Sequence, residues 1–323
     1  MKKTQSALAM AALLVLAMAP SAVRGQDQVD QVRHYTFHHA GIQRHYALFV
    51  PSGYTPNTSM PLVLAIHGGQ WNDMRQMMAC EMNAVAEREG FLVAYPDAVS
   101  GAWYGGDRTD PYDDIGYIEA LVRHASTLYT VDASRVYAAG FSEGAIMSYI
   151  LSVELPYTFA AIAPVAGVRA YLPGTDLFFP LGVPATPSRP FPVLHIHGTA
   201  DSMVPYNGGE TYGWKWPGCE QEVGDYAANN GCKSTPTVVD LPDVDPTDGT
   251  TVQLLTCGKC GSYVDSAGNT RQAEALLYRV VNGGHNWPSD FHWVHERNLP
   301  VTGDINASEE IWKFFSRHVV AVP

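Results

Sequence analysis

The feature that most constrains the fold is the pentapeptide Gly-Phe-Ser-Glu-Gly at residues 140–144, which joins an apolar run to a helix-like segment. Glycines on both sides of a serine predict a sharp strand-to-helix turn, because such a turn strains its central residue and tolerates only small neighbours. The turn lifts the Ser142 hydroxyl clear of the sheet and aims the Glu143 amide at a developing negative oxygen. Ser142 is therefore the candidate nucleophile.

Asp201 and His285 are the candidate acid and base. Asp201 ends the apolar segment 194–201, and His285 lies in a glycine-hinged loop that follows the apolar segment 275–281. The order Ser, Asp, His along the chain is that of an α/β-hydrolase triad. Residues at the carboxyl ends of parallel strands converge on one edge of the sheet. The three side chains are therefore expected to meet, although each one alone could be an ordinary loop residue.

Three other histidines are alternative bases. His67, His195 and His197 lie in or beside apolar strands. A hydrogen-bonded structural role is the expectation for histidines in such places.

Another apolar strand, residues 61–66, runs into His67-Gly68-Gly69. Such a strand end predicts the second half of an oxyanion hole, in which a backbone amide with little side-chain bulk faces the Glu143 amide. Gly69 is the expected donor and Gln70 is the alternative. Trp71 and Trp287 flank the predicted loops and are the candidate substrate-binding residues, since indole rings can stack on a flat acyl group or a sugar.

The rest of the chain alternates strand-like and helix-like segments, which predicts a mostly parallel, doubly wound sheet of the α/β class. Residues 26–323 are long enough to form one such domain with a full core. The predicted strands are residues 44–51, 61–68, 91–95, 136–139, 159–166, 194–198 and 275–281, and the predicted helices are 74–89, 114–128, 145–150, 221–230 and 307–318.

The first 25 residues have the plan of a secretory signal peptide. Lys2 and Lys3 precede an apolar run over residues 7–19, and Arg24-Gly25 precedes Gln26. Cleavage after Gly25 and export are therefore expected. The formal charge of −12 makes nucleic acid and anionic membranes improbable partners, and it favours an uncharged or weakly charged substrate.

Four of the five cysteines cluster in the sequence, at Cys219, Cys232, Cys257 and Cys260, while Cys80 stands apart. Because an exported protein reaches an oxidising compartment, the four clustered cysteines are expected to form two disulfides. Three pairings are possible, and Cys232 with Cys257 and Cys219 with Cys260 is preferred. The alternative is a zinc site that uses Cys257 and Cys260. The expectation is no metal and no cofactor.

In order along the chain, these motifs resemble the polyhydroxybutyrate depolymerase family of esterases, which is similar to the family 1 carbohydrate esterases and the secreted feruloyl esterases. The resemblance extends from about residue 46 to the last helix. It is carried by His67-Gly-Gly, Tyr95-Pro-Asp97, Asp113-Asp-Ile-Gly-Tyr-Ile118, Gly140-Phe-Ser-Glu-Gly144, His197-Gly-Thr-Ala-Asp201 with Val204-Pro-Tyr206, and Gly283-Gly-His-Asn-Trp-Pro288.

The resemblance implies a serine esterase of the α/β-hydrolase fold that needs no cofactor, with the triad Ser142, Asp201 and His285. The chain departs from the family pattern at Gln70-Trp71, in the segment 171–190 and at Trp214-Lys-Trp216. These three stretches are expected to line the substrate mouth. Feruloyl or acetyl esters of plant polysaccharide are the first expectation for the substrate and polyesters are the second. The same residues are also compatible with an acyltransferase, a peptidase or a catalytically silent binding module.

Overall fold

A computed structural model of the protein describes residues 31–103, 112–171, 186–289 and 299–320. Ten of the strands in these ranges form one sheet in the order β1-β2-β4-β3-β5-β6-β7-β14-β11-β10. The six central strands, from β4 to β14 in that order, run parallel, and the two strands at each edge are antiparallel to their neighbours. The predicted α/β class with a mostly parallel sheet is confirmed.

The strands are β1 (Val32–His39), β2 (Ile42–Phe49), β3 (Met60–Ile66), β4 (Leu92–Pro96), β5 (Val131–Phe141), β6 (Ala161–Val165), β7 (Val193–Gly198), β8 (Gly209–Thr211), β9 (Trp214–Trp216), β10 (Thr237–Asp240), β11 (Thr251–Cys257), β12 (Ser262–Val264), β13 (Thr270–Gln272) and β14 (Ala275–Val281). The helices are α1 (Asp73–Cys80), α2 (Met82–Glu89), α3 (Asp114–Leu128), α4 (Glu143–Glu154), α5 (Cys219–Asn229) and α6 (Ala307–Phe315).

The two faces of the sheet carry separate apolar cores. Helices α3, α4 and α5 pack on one face through residues such as Leu121 and Val223, while α1, α2 and α6 cover the other through residues such as Val85 and Phe314. The parallel strands are buried on both faces and are therefore continuously apolar. The strands β3, β5, β7 and β14 thus present their carboxyl ends at one edge, where the predicted site residues follow them.

Several elements differ from the prediction. The strand β1 was not predicted, since none of its side chains is fully buried and its apolar residues Val32, Tyr35 and Phe37 do not form a continuous run. The helix expected over residues 74–89 is two helices, because Glu81 between them adopts the left-handed conformation with φ 52°. The strands β10 and β11 form an antiparallel extension of the sheet on the far side of β14.

The disulfide pairing also differs from the preferred one. Cys232 is bonded to Cys260, while Cys219 and Cys257 are free thiols. The fold explains this pairing, because Cys232 follows α5 and the adjoining Asn230 carbonyl accepts a 2.6 Å hydrogen bond from the amide of Gly261. The zinc alternative loses Cys260, whose sulfur is already in the disulfide. The predicted second disulfide is absent from the described residues.

No helix in the described ranges is both long and apolar enough to cross a membrane. The predicted signal peptide, residues 1–25, lies outside the described residues.

Candidate active site

Ser142 occupies a strained turn between β5 and α4, with φ 54° and ψ −116°. The two glycines of the pentapeptide are required by space. A Cβ on Gly140 would lie 2.0 Å from the Gly144 carbonyl oxygen, and one on Gly144 would lie 2.2 Å from the Ile66 carbonyl oxygen. Because neither contact can be relieved by a side-chain movement, the local sequence and the close approach of β3 together produce the elbow predicted from the pentapeptide.

Asp201 and His285 form a buried hydrogen-bonded pair, although 84 residues separate them in the sequence. The Nδ1–H of His285 donates to Oδ2 of Asp201 at 2.8 Å. The other carboxylate oxygen accepts the backbone amides of Met203 at 2.9 Å and Val204 at 2.8 Å. With Nδ1 carrying the proton, Nε2 of His285 is left as the basic nitrogen of the ring.

The electrostatics keep Asp201 ionised. Burial would raise the pKa of this carboxyl, but hydrogen bonds from His197 and His285 outweigh burial and lower its pKa below the usual range. An anionic carboxylate orients the His285 ring and stabilises the imidazolium that forms when it takes a proton.

The turn that carries Ser142 packs against the loop that carries His285. The ring of Phe141, the residue before the serine, is 5.0 Å from the His285 ring between centroids. Nε2 of His285 is buried and is not hydrogen-bonded to Ser142 Oγ in this structure. Such a hydrogen bond is often long or absent in a free enzyme and tightens when the substrate binds.

The Gly69 and Glu143 backbone amides are the predicted oxyanion donors. Gly68 and Gly69 follow β3, and a Cβ on Gly68 would lie 3.2 Å from the Cβ of Ser142. Gln70, the alternative donor, is excluded, because its amide already donates to the Gly101 carbonyl at 2.7 Å. The backbone hydrogen bonds of the described residues leave the Gly69 amide unused. Gly69 and Glu143 therefore stay as the predicted donors.

An apolar cavity of about 130 Å³ opens beside Glu143. It is lined by Trp103, Glu143, Ile146, Met147, Ile150, Ala170, Trp214 and Trp216. The two tryptophans of β9 alternate with Lys215, so both indoles are on one face of the strand. Trp214 and Trp216 therefore line this cavity, and the place of the stretch 214–216 at the substrate mouth stays a prediction.

Trp71 and Trp287, the predicted substrate-binding residues, are buried and do not line this cavity. Trp71 is 5% exposed, packs on Phe141 at 4.9 Å between ring centroids and has the Arg75 guanidinium over its ring. Trp287 is 4% exposed. Their role in binding stays a prediction, but little of either ring is accessible to a ligand. Trp103, Trp214 and Trp216 line the cavity instead, and for β9 the alternation Trp-Lys-Trp is the sequence signal that puts two indoles on one face.

The side chain of Glu143 lies between the predicted oxyanion hole and the cavity. A Cβ on Gly69 would lie 2.4 Å from Oε1 of this carboxyl, and the Trp103 amide donates to Oε2 at 3.4 Å. Burial raises the pKa of Glu143, while the Trp103 amide and His67 partly oppose the shift. The protonated form is therefore retained to higher pH than in an exposed glutamate.

This placement of the Glu143 carboxyl predicts that acylation becomes slower as the pH rises. Above its raised pKa, Glu143 becomes an anion beside a second developing anion, and the repulsion slows acylation. We expect the ratio of kcat/KM for Glu143→Gln to that of the wild type to grow about tenfold between pH 5 and pH 8, because the amide cannot ionise. Glu154→Gln, at the far end of α4, is the control. A constant ratio would show that the carboxyl is remote from the oxyanion.

A group of potential metal ligands lies beneath Asp201. His195, His197 and Cys219 are buried, and one ligand atom from each lies within 4.8 Å of the others. The imidazoles are already hydrogen-bonded to protein groups, with His195 Nε2 3.0 Å from His197 Nδ1 and His195 Nδ1 2.9 Å from the Tyr149 hydroxyl. A metal would have to replace these bonds. The arrangement fits a hydrogen-bonded core better than a prepared metal site.

The chain is similar to a known protein family and to several known esterases. The family model described as Esterase PHB depolymerase matches residues 44–207, which include Ser142 and Asp201. Feruloyl esterase B of Piromyces equi is 31% identical over 202 residues, covering 58% of this chain and 35% of that protein. A putative esterase, NocK, of Nocardia uniformis subsp. tsuyamanensis is 29% identical over 266 residues, covering 77% and 72%.

A polyester-degrading relative and a solved esterase structure are also similar to this chain. Poly(3-hydroxyalkanoate) depolymerase C of Paucimonas lemoignei is 29% identical over 237 residues, covering 64% of this chain and 55% of that protein. The solved structure of the acetyl xylan esterase from Aspergillus awamori superposes with a TM-score of 0.58 at 16% identity, covering 88% of this chain and 99% of that one. The structural likeness shows the α/β-hydrolase type of fold. The chain matches about a third of the length of the Piromyces protein.

Proposed function

The chain belongs to the PHB depolymerase family of esterases, and on that premise we propose that it is a serine carboxylic-ester hydrolase that forms an acyl-enzyme on Ser142. The observation that carries the proposal is the buried Asp201–His285 pair at the same sheet edge as a serine held in a strained elbow. A loop serine, an Asx turn and a structural histidine would not require that combination of strain and buried charge.

The reaction follows from the geometry. His285 Nε2 removes the Ser142 proton as Oγ attacks the ester carbonyl, and the Gly69 and Glu143 amides donate hydrogen bonds to the resulting oxyanion. The carbon–oxygen bond to the alcohol then breaks, and the alcohol leaves with the proton from His285. Water enters, loses a proton to His285 and attacks the acyl-enzyme. Collapse of the second oxyanion releases the carboxylic acid and returns the proton to Ser142.

The substrate proposed first is a feruloyl or acetyl ester of plant polysaccharide. The cavity beside Glu143 supports it, since Trp103, Trp214 and Trp216 line it and indole rings can stack on a flat aromatic acyl group. The name of the Piromyces relative, a feruloyl esterase, is consistent with that choice. A polyester such as a polyhydroxyalkanoate is the second candidate, favoured by the family and by the Paucimonas relative.

A hydrolysis panel separates these substrates. We expect measurable turnover of methyl ferulate, acetylated xylan and short p-nitrophenyl esters, and slower turnover of hydroxybutyrate oligomers. The reverse order would favour the polyester. Product analysis with added glycerol or trehalose would reveal an acyltransferase. Failure of Ser142 to react with a fluorophosphonate probe, together with no turnover, would support a silent binding module.

Removing a cavity indole should affect aromatic substrates selectively. We expect Trp216→Ala to lower kcat/KM for methyl ferulate about 10- to 100-fold, because the burial of one ring face against the acyl group is lost. The same variant should keep kcat/KM for p-nitrophenyl acetate within about threefold, since an acetyl group does not reach the ring. Trp312→Ala on α6, whose ring stacks on Phe91 at the opposite face of the sheet, is the matched control. Equal losses on both esters would contradict an acyl site at Trp216.

Export is part of the proposal. The leader pattern of residues 1–25 and the Cys232–Cys260 disulfide both support an oxidising destination. N-terminal sequencing of the exported protein should begin at Gln26, and recovery of Met1 would refute the cleavage. The proposed partner is the ester substrate alone, without nucleic acid or membrane.

A further inference from the structure

The catalytic aspartate has a second imidazole partner, which the reaction described above does not use. His197 Nε2 is 3.1 Å from Asp201 Oδ2, the oxygen that also accepts the proton of His285. The same Nε2 is 2.9 Å from the Val204 carbonyl oxygen. Both neighbours can only accept, because a carbonyl and an ionised carboxylate carry no proton. Nε2 of His197 must therefore be protonated, and its single N–H is shared between the Val204 carbonyl oxygen and Oδ2 of Asp201.

The opposite nitrogen of His197 continues the chain of hydrogen bonds into the core. Nδ1 of His197 is 3.0 Å from Nε2 of His195, and Nδ1 of His195 is 2.9 Å from the Tyr149 hydroxyl on α4. The two imidazole rings are stacked, with 14° between their planes, and each is at most 1% exposed. No rotation of either ring is possible without breaking a buried hydrogen bond.

Titratable groups face His197 from its own strand, from the loop after β7 and from α5. Asp201 and Tyr206 face it from the loop after β7, His195 from its own strand and Cys219 from α5. His285 faces it across the shared oxygen of Asp201. Burial alone would lower the pKa of His197, but the Cys219 sulfur and the Asp201 carboxylate outweigh burial and raise it.

His195 has the opposite tendency. Burial and the neighbouring His197 charge lower the pKa of His195. His195 is hydrogen-bonded at one nitrogen to His197 and at the other to the Tyr149 hydroxyl, so no polar atom of its ring is left unsatisfied.

We propose that His197 is a positioning residue that holds the Asp201 oxygen to which His285 also bonds, with His195 and Tyr149 as its anchors. The inference rests on the proposed esterase function. The hydrogen bond fixes the carboxylate plane that orients the base.

Two variants test the hydrogen bond. His197→Phe removes it, and we expect kcat to fall about 10- to 100-fold while KM changes less than about threefold. His197→Gln keeps an N–H near Asp201 and should recover most of kcat. His318→Gln is the matched control, because this histidine is also buried and bonded to a carboxylate, Glu274, but it is remote from the site.

The outcomes distinguish this inference from the esterase proposal. If wild type turns over esters and His197→Phe retains kcat within about threefold, the positioning role is overturned and the esterase stands. A kcat for His197→Gln as low as that of His197→Phe would also overturn the hydrogen bond. If His197→Phe does not fold, ¹⁵N spectra of the wild type decide the question, since the role requires a proton on Nε2 of His197 and an unprotonated Nε2 would overturn it. A wild type inert toward all esters would instead end the proposed function.

Discussion

Replacing Ser142 with alanine is expected to lower kcat for a p-nitrophenyl ester by about 10⁵- to 10⁶-fold, to the level of the uncatalysed reaction. The reason is that alanine retains the Cβ and the backbone of the turn but removes the only oxygen that can form the acyl-enzyme. The melting temperature should be unchanged, because the strain at φ 54° is the same for both residues. Steady-state kinetics and a thermal scan of the two proteins make the comparison.

The matched control is Ser148→Ala in α4, the helix that follows the Ser142 turn. The Ser148 hydroxyl is buried and donates to the Gly144 carbonyl at 2.9 Å. Its loss should lower the free energy of unfolding by about 1 kcal/mol and leave kcat close to that of the wild type. Labelling with a fluorophosphonate should mark the wild type and Ser148→Ala but not Ser142→Ala. Near-normal activity in Ser142→Ala would refute the assignment of the nucleophile.

The second large effect is expected from Asp201→Asn, which should lower kcat by about 10⁴-fold. The amide can still accept the Met203 and Val204 amides through its oxygen, so the loop keeps its shape. Its NH₂ group then faces two N–H donors, those of His285 and His197. To avoid the clash His285 must move its proton to Nε2, and the ring no longer has a basic nitrogen directed at the serine.

Asp265→Asn provides the comparison for the second prediction. Asp265 is also buried and accepts backbone amides in the turn between β12 and β13, where it pairs with Arg271. This variant should cost stability without a comparable loss of kcat. If Asp201→Asn retained more than about a tenth of wild-type kcat, another carboxylate would have to orient His285.

Most of the parallel core was predictable because its signals are local. An apolar run of about five to seven residues bounded by glycine or proline is sufficient to indicate a buried parallel strand, and β14 begins and ends as predicted. The helix α3 was also predicted with its bounds. The edge strand β1 was not predicted, because its side chains are only half-buried or exposed and its partner β2 supplies the hydrogen bonds. Edge pairing is a long-range property that its own sequence does not encode.

The same distinction applies to the site. The strained elbow follows from glycines two residues away, so the pentapeptide alone predicted it. The amide of Gln70 was excluded as a donor only by a hydrogen bond to Gly101, 31 residues later in the chain. Trp71 and Trp287 were chosen because they lie next to catalytic loops in the sequence, whereas burial is decided by what packs against them.

The sequence by itself determined the α/β class, the elbow and the order of the three candidate catalytic residues, because backbone strain and strand burial depend on neighbours in the chain. Only the tertiary structure decided the Cys232–Cys260 pairing, the tryptophans that line the cavity and the second imidazole at Asp201. These features depend on which distant segments come within a few ångströms of one another. That proximity is set by the packing of helices on both faces of the sheet, and no local pattern reports it.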